Sequence, residues 1–446
     1  MTQSLPIAIN PQGSISRLGR RFVAALHRLG SDATLQRTVL SIADQAVVSG
    51  TNFATSMFLG WCGKSELGVY YLALSILVFL RGIQEQLIVA PYIVYSGRRS
   101  GTALTRYAGS SLIHQGLFAG IAMIAVLGMM LAGIGPPKMD SLWLLLLGIT
   151  PLYLVRDYVR QMSFANLDIR MAFGLDLLIS LLQLGLLFPL AWNGVLNVQL
   201  VYLAIAFSCG IATLLWFLTK ARIFDTNWSA AISDWIDNWR FAKWALATQL
   251  VGCSTPYLIP WIVAFVHGEI ETGVLGACTT IVGLSNMFLM GVSNFVSPRA
   301  AQAFASGGVR ELQAVLRTSA LIYGTTLGIA CLLAFSLGGY VAAVVYGPDF
   351  ADTRLIIGIL SLSVLANSMG ITAGNGLCAM DRPAANFWAD LVALGAAVAA
   401  IVVLVPLWGA TGAALATLCS TSTDAAMRWL VLRCTMQSLQ AQESAT

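Results

Sequence analysis

From Val39 onward the chain consists of long apolar runs, separated by short clusters of glycine, proline and charged residues. A helix needs about 20 mostly apolar residues to cross the hydrocarbon core of a bilayer. Twelve such runs can be read, at 39–61, 67–96, 107–133, 141–163, 173–192, 199–219, 242–266, 272–297, 318–345, 355–377, 386–407 and 410–432. Breakers fall between them: Gly63, Gly135-Pro136-Pro137, Trp192-Asn193-Gly194, Gly307-Gly308, Gly347-Pro348-Asp349 and Asp381-Arg382-Pro383. A membrane-spanning strand is shorter, about 9–11 residues, and alternates lipid-facing with lumen-facing side chains. These runs are too long and too evenly apolar for that. Only 10% of residues are charged, against about 25% in soluble domains, so the surface must face lipid. The expected fold class is an all-α polytopic membrane protein with about 12 transmembrane helices.

Lysine and arginine placement gives this layout a direction. With the start of the chain cytoplasmic and the runs alternating, 21 of the 25 cations fall on the cytoplasmic side. Lys64, Lys138 and Arg354 fall on the other, and Arg81 lies inside the second run. That asymmetry follows the positive-inside rule and is lost if a run is miscounted. Residues 1–38 carry Arg17, Arg20, Arg21, Arg28 and Arg37 but no apolar core of a signal peptide. Phe22, Val23, Leu26 and Leu29 share one helical face there, as in a helix lying on an anionic leaflet, and a basic tail is the alternative.

The longest polar connection, Lys220 to Phe241, divides the runs six and six. The expected organisation is a basic segment at 1–38, a six-helix lobe at 39–219, a cytoplasmic linker at 220–241, a second lobe at 242–433 and a cytoplasmic tail at 434–446. A weak repeat supports the division. Gly68-Val69 opens the second run and Gly273-Val274 the eighth, each followed by a proline, Pro91 or Pro298, and by arginines. Two similar halves around a substrate path are a common transporter plan.

An ionisable side chain at a helix centre costs at least about 2.5 kcal/mol in a bilayer, so each one is a functional candidate. Arg81 lies deep in the second run, Glu85 follows one turn later on the same face, and Gln84 and Gln86 flank it. Asp44 and Gln45 lie in the inner part of the first run, at a depth matching Glu85. A cluster of Asp44, Arg81 and Glu85 in the inner half of a cavity is therefore expected. Arg81 is suited to holding a phosphate by bidentate hydrogen bonds. Asp44 and Glu85 are the candidates for coupling to a proton or sodium ion. The alternative is a self-satisfied ion pair that fixes helix packing. Gln45, Asn52, Gln249, Asn286, Asn294 and Asn375 are candidates to line a path, or else to join helices by hydrogen bonds. Asp424 is expected to pair with Arg428 at i+4, Asp176 to be interfacial, and Arg156 to snorkel from a span end.

Other chemistry is poorly supported. The eight cysteines are scattered without a CxxC pair, and His27, His114 and His267 are isolated, so no metal site or disulfide framework is expected. GxSxG, HExxH and GxxxxGK[ST] are absent. The net charge of +5 follows from topology and is no sign of nucleic acid.

Several segments resemble a known family. Tyr346-Gly347-Pro348-Asp349-Phe350 opens a run that ends in Asn375-Gly376-Leu377-Cys378-Ala379-Met380-Asp381-Arg382-Pro383. A later run ends in Val405-Pro406-Leu407-Trp408-Gly409-Ala410-Thr411-Gly412-Ala413-Ala414. Together with Asp44-Gln45-Ala46, Ser49-Gly50, Asn52-Phe53 and Gly68-Val69-Tyr70, these resemble polysaccharide transporters of the multidrug/oligosaccharidyl-lipid/polysaccharide exporter superfamily. Asp381 stands where that pattern usually has glycine. The resemblance implies two six-helix lobes around a central cavity, no enzymatic activity and no cofactor beyond the coupling ion. It also implies movement of an undecaprenyl-diphosphate-linked oligosaccharide across a bacterial inner membrane by alternating access, and the lysine and arginine asymmetry puts both chain ends on the cytoplasmic side. Arg81, with Gln84 and Gln86 beside it, becomes the candidate for the diphosphate. Expected partners are the lipid-linked glycan, membrane lipids, a polysaccharide polymerase and other assembly proteins, with no nucleic acid. The alternatives are a cation-coupled multidrug exporter of the same superfamily and, from another class, a membrane-embedded polysaccharide polymerase.

Overall fold

The computed structural model describes residues 33–220 and 224–445. They form helices joined by short turns, with no strand among the described residues. Lipid offers no hydrogen bonds to the backbone, so a spanning segment must satisfy its own N–H and C=O groups. The first six rods are α1 (Ala33–Gly60), α2 (Lys64–Gln84, then Glu85–Val89 and Ala90–Ser96), α3 (Thr102–Leu131), α4 (Trp143–Ala165), α5 (Ile169–Trp192) and α6 (Val198–Lys220). Three longer helices are each two rods joined at glycine. Trp228–Gly283 breaks at Gly268, Ser285–Tyr346 at Gly307-Gly308 and Pro383–Ala445 at Gly409. They supply α7 (228–267), α8 (269–306), α9 (309–346), α11 (383–408) and α12 (410–445), with α10 (Arg354–Ala379) between. Each of the twelve expected runs lies on its own rod.

All six expected breakers contain a residue of positive φ, from Gly63 and Gly135 at 119° down to Asp381 at 58°. Asp381 explains its own oddity. Left-handed backbone costs an L-residue roughly 1–2 kcal/mol and glycine almost nothing, so glycine is the natural residue there.

Much of the expected linker is helical. Asn227 caps a helix by accepting from the amide of Ala230, and α7 begins at Trp228. Most of 220–241 is therefore helix, with Trp228, Ile232, Trp235, Ile236 and Trp239 exposed. It is pinned to α3 and the turn before it: Tyr107 donates to Asn238 (2.8 Å), His114 bonds the Ala231 carbonyl (2.9 Å), and Arg99 of the turn pairs with Asp234 (3.0 Å). The expected basic segment falls mostly outside the described residues, its last part, 33–38, belonging to α1; the expected tail continues α12 to Ala445.

The residues of the weak repeat meet face to face. α2 and α8 cross so closely that a Cβ on Gly68 would lie 1.8 Å from the Glu269 carbonyl oxygen. A Cβ on Gly273 would lie 1.9 Å from that of Lys64. Two residues before each glycine stands a glutamate with the same task. Glu66 accepts from the Val198 amide at the start of α6 (3.0 Å), and Glu271 from the Ala410 amide at the start of α12 (3.1 Å). A carboxylate at a helix N-terminus meets both unpaired N–H groups and the positive end of the helix dipole.

Around this crossing one apolar core draws on both halves, with Leu67, Tyr70, Leu275, Tyr346 and Val405. Lys64 and Lys138 lie at the same end: Lys64 sits over the Phe350 ring and Lys138 donates to Ser65. Toward the other end the cores separate. One is built on Tyr92, Tyr107, Tyr158 and Trp216, the other on Ala300, Leu312, Leu377 and Leu432.

Two substitutions test this packing. Gly68→Ala should lower stability by about 1–3 kcal/mol through overpacking, read as a lower melting temperature in detergent. Gly116→Ala, with nothing within 4 Å of the added methyl, is the neutral control. Asp381→Gly should raise stability by about 1 kcal/mol by relieving the left-handed backbone.

Candidate functional site

Eight helical stretches among the described residues are long and apolar enough to cross a membrane by length and composition. The rods missing from those stretches are α1 and α4. α1 carries Asp44, and α4 packs Arg156, Asp157 and Arg160 into little more than one turn. A helix charged in this way must turn its charges inward. α4 accordingly sits inside the first half, against α2, α3, α5 and α6.

There the charges form a network. Asp176 on α5 is fully buried and accepts hydrogen bonds from both Arg156 and Arg160. Arg160 also donates to Asp44 of α1 at 2.5 Å. One carboxylate thus ties two guanidiniums together, and the second guanidinium reaches a third helix. Buried charges persist only when paired and hydrogen-bonded. This corrects two expectations: Asp176 is not interfacial, and Arg156 does not snorkel out of the bundle.

Arg81 is held differently. Its nearest carboxylate is Asp157, at 3.7 Å, beyond hydrogen-bond distance. The Arg81 side chain is 35% exposed and that of Asp157 only 1%. Neither Asp157 oxygen, nor Arg81 Nε, has a hydrogen-bond partner among the described residues. Glu85 lies within electrostatic reach of Arg81, Asp157 and Arg160. It begins a π-helical turn at Glu85–Val89, just before Pro91. Single π turns within α-helices are frequent at functional sites.

Arg81 and Arg156 line a cavity of about 270 Å³. Its wall is polar on several sides: Thr51, Asn52 and Ser56 of α1, Tyr71 of α2, Tyr153 of α4, and Ser180 and Gln183 of α5. Gly276 and Thr280 of α8 close it from the second half. On the opposite face of α2 lies a second, almost wholly apolar groove of about 700 Å³. Phe79, Leu80, Ile83 and Leu87 form its α2 wall, α3 adds Leu117 and Ile121, and Trp228, Ile232 and Trp235 of α7 cover it.

The expected site residues divide among these features. Asp44, Arg81 and Glu85 do share the first half, but Asp44 is paired with Arg160 rather than Arg81. Gln84 is fully buried and donates to the Leu154 carbonyl (3.1 Å), so it joins α2 to α4. Gln86 is half-buried, and Gln45 bonds Ser49 within its own helix. Asn52 lines the cavity. Gln249 lies against Gly82, where an added Cβ would be 3.1 Å from its amide nitrogen. Asn286 and Asn294 are exposed on α8, and Asn375 is half-buried on α10. Asp157 escaped the sequence reading, although its place between two arginines on an apolar run was the available signal. The second half holds a smaller cluster, where Arg428 binds Asp390 (2.6 Å) and, as expected, Asp424 (2.8 Å).

No family model and no curated protein matches the chain. Solved structures do. A multidrug resistance MATE family transporter of the MOP superfamily, in an inward-facing conformation, aligns with a TM-score of 0.71 at 14% identity, over 89% of this chain and 96% of that one. The lipid II flippase MurJ, in an inward closed conformation, aligns with a TM-score of 0.73 at 15% identity, over 90% and 87%. A MOP superfamily transporter from Pyrococcus furiosus, described by the reverse polarity of its binding pocket, aligns with a TM-score of 0.62 at 13% identity, over 91% and 96%. The chain has the fold these transporters share.

Breaking the double bridge should be costly. Asp176→Asn leaves two buried guanidiniums short of a charge and should lower stability by about 3–5 kcal/mol. Asp44→Asn, which leaves Arg160 its bond to Asp176, should lower it by less. Thermal unfolding of the purified proteins in one detergent ranks them.

Proposed function

We infer that the chain is a transporter that moves an undecaprenyl-diphosphate-linked oligosaccharide across a bacterial inner membrane, for exopolysaccharide, capsule or O-antigen assembly. The observation that carries this reading is Arg81: a cation deep in a membrane helix, facing a polar cavity, without a hydrogen-bonded counter-ion. Such a guanidinium keeps its planar donors for a bidentate oxyanion, and a diphosphate presents several. The apolar groove on the other face of α2 supports the same reading. A substrate with a polar head and a long hydrocarbon tail needs both environments, and helix α2 borders both.

The packing supports a mechanism for this reading. Lobes 39–219 and 242–433 turn against each other about the Gly68–Gly273 crossing, where their backbones touch. With the shared core at the outer end and the separate cores at the inner end, the head enters from the cytoplasm. Rocking then closes the inner end and opens the outer one, as alternating access requires. Both chain ends are cytoplasmic in this reading. Asp44 and Glu85 are the coupling candidates for a proton or sodium ion, and a polysaccharide polymerase would receive the translocated glycan.

One observation favours a second reading. The first half holds four intramembrane carboxylates, Asp44, Glu85, Asp157 and Asp176, against three arginines, Arg81, Arg156 and Arg160. An acidic excess suits a cation-coupled multidrug exporter.

The two readings part at Arg81. In a strain that depends on this chain for its surface polysaccharide, Arg81→Ala should insert normally yet reduce export at least tenfold, roughly the loss of one charge-assisted hydrogen bond or more. Arg81→Lys should retain part of it. Undiminished export by a well-inserted Arg81→Ala protein, or a change in drug tolerance with export intact, would overturn the glycan reading.

A further inference from the structure

Most of the neutral polar groups on the wall of the 270 Å³ cavity are already committed. Thr51 donates to Ser180 (2.7 Å), whose own proton goes to the Asp176 carbonyl (2.7 Å). Ser56 bonds Tyr346 (3.2 Å), Thr280 donates back to the Gly276 carbonyl (2.8 Å), and Tyr71 bonds Thr279. Four neutral amide and hydroxyl side chains remain. Asn52 is exposed, and its amide makes no hydrogen bond among the described residues. The hydroxyls of Tyr70 and Tyr153 make none either, although Tyr70 is only 4% exposed. Gln183 is the fourth. Thr55 gives its one proton to the Thr51 carbonyl (2.8 Å), so it can only accept from Gln183 (2.8 Å). That bond takes the N–H end of the Gln183 amide and leaves its carbonyl oxygen as an acceptor. Hidden polar groups normally find partners, so several without one on a single cavity wall point to a ligand.

Their depth sets them apart from the arginine. At 1.5 Å of rise per residue, Asn52, Tyr70, Tyr153 and Gln183 stand about 9–15 Å along their rods from the end where the halves share a core. Arg81 stands about 25 Å from it. Tyr153 bridges the two levels, within electrostatic reach of Arg81 on one side and of Tyr70 on the other. A group held on Arg81 from the far end therefore presents whatever it carries to these four side chains.

We propose that Asn52, Tyr70, Tyr153 and the Gln183 carbonyl form a subsite for the pyranose joined directly to the diphosphate. The inference rests on the reading of Arg81 as the diphosphate anchor. A sugar hydroxyl both donates and accepts, so it is read by neutral amides and phenols rather than by charge. The Gln183 oxygen takes a proton from the sugar, the Asn52 amide can give or take one, and the tyrosines add a hydroxyl on an apolar ring. Ligand cavities commonly run to about 300–1,000 Å³, and this one, near the lower end, suits a single sugar. Arg81 thus supplies attraction for any prenyl diphosphate, and the four neutral groups supply the choice among sugars.

The test uses full-length protein in detergent and farnesyl-diphospho probes carrying glucose, galactose or N-acetylglucosamine. Methyl farnesyl diphosphate, with the same charge and no sugar, is the reference. Isothermal calorimetry gives each affinity. Wild type should bind at least one sugar-bearing probe about fivefold or more tightly than the methyl ester. Asn52→Ala and Tyr70→Phe should each weaken that probe by about three- to tenfold, the worth of one neutral hydrogen bond. Both should leave the methyl ester within about twofold of wild type, which also shows that they are folded. Arg81→Ala should weaken every probe. Methyl ester binding without a sugar preference, or a preference that survives both substitutions, overturns the inference and leaves the Arg81 reading standing. A methyl ester that binds Arg81→Ala as well as wild type overturns both.

Discussion

Charge in a membrane interior must be met by charge, and the first half of this protein is organised around that demand. α4 carries two arginines and an aspartate in little more than one turn. It cannot face lipid, so it is surrounded. Asp176 answers Arg156 and Arg160 from α5, and Asp44 answers Arg160 from α1. Three helices are fixed by one network of short hydrogen bonds. Leu, Val and Ala cannot do this in lipid, where apolar side chains gain little by leaving one apolar environment for another.

The same rule separates firmly paired charge from loosely paired charge. Arg156 and Arg160 are bound directly by carboxylates and largely hidden. Arg81 and Asp157 face each other at a distance too long for a hydrogen bond, one open to the cavity and the other sealed from it. A pair held this loosely can be parted by a ligand without dismantling the fold. Firmly paired and loosely paired charges are thus different members of one cluster. The two halves meet elsewhere, through the Gly68–Gly273 crossing, which lets backbones approach and carries a hydrogen bond from Ser65 to Glu269 (3.2 Å). Such a contact suits a pivot.

The fold was legible because lipid leaves few choices. Run length and breakers located every rod. The helix within the expected linker was not legible because Asp225, Asn227, Asp234 and Asp237 make the segment polar in composition. Its tryptophans and isoleucines are spaced along a helix, and only docking on α3 shows which face matters. The site was legible in part. Arg81, Glu85 and Asp44 stood out as isolated charges in apolar runs. Asp157 did not, because Arg156 beside it reads as a span-end cation that snorkels outward. Partner choice between helices depends on rotation and depth, and twelve rods of similar composition carry little of that information in one dimension.

Transbilayer movement of substrate by the purified protein bears most directly on whether this cavity carries a diphosphate head. Liposomes holding the protein and a fluorescent prenyl-diphospho-oligosaccharide would be treated with a membrane-impermeant quencher. Wild type should make nearly all of the label accessible, and empty liposomes only the outer-leaflet share. Label that stays protected in wild-type vesicles, while a cationic dye is moved by the same preparation, would contradict the glycolipid assignment.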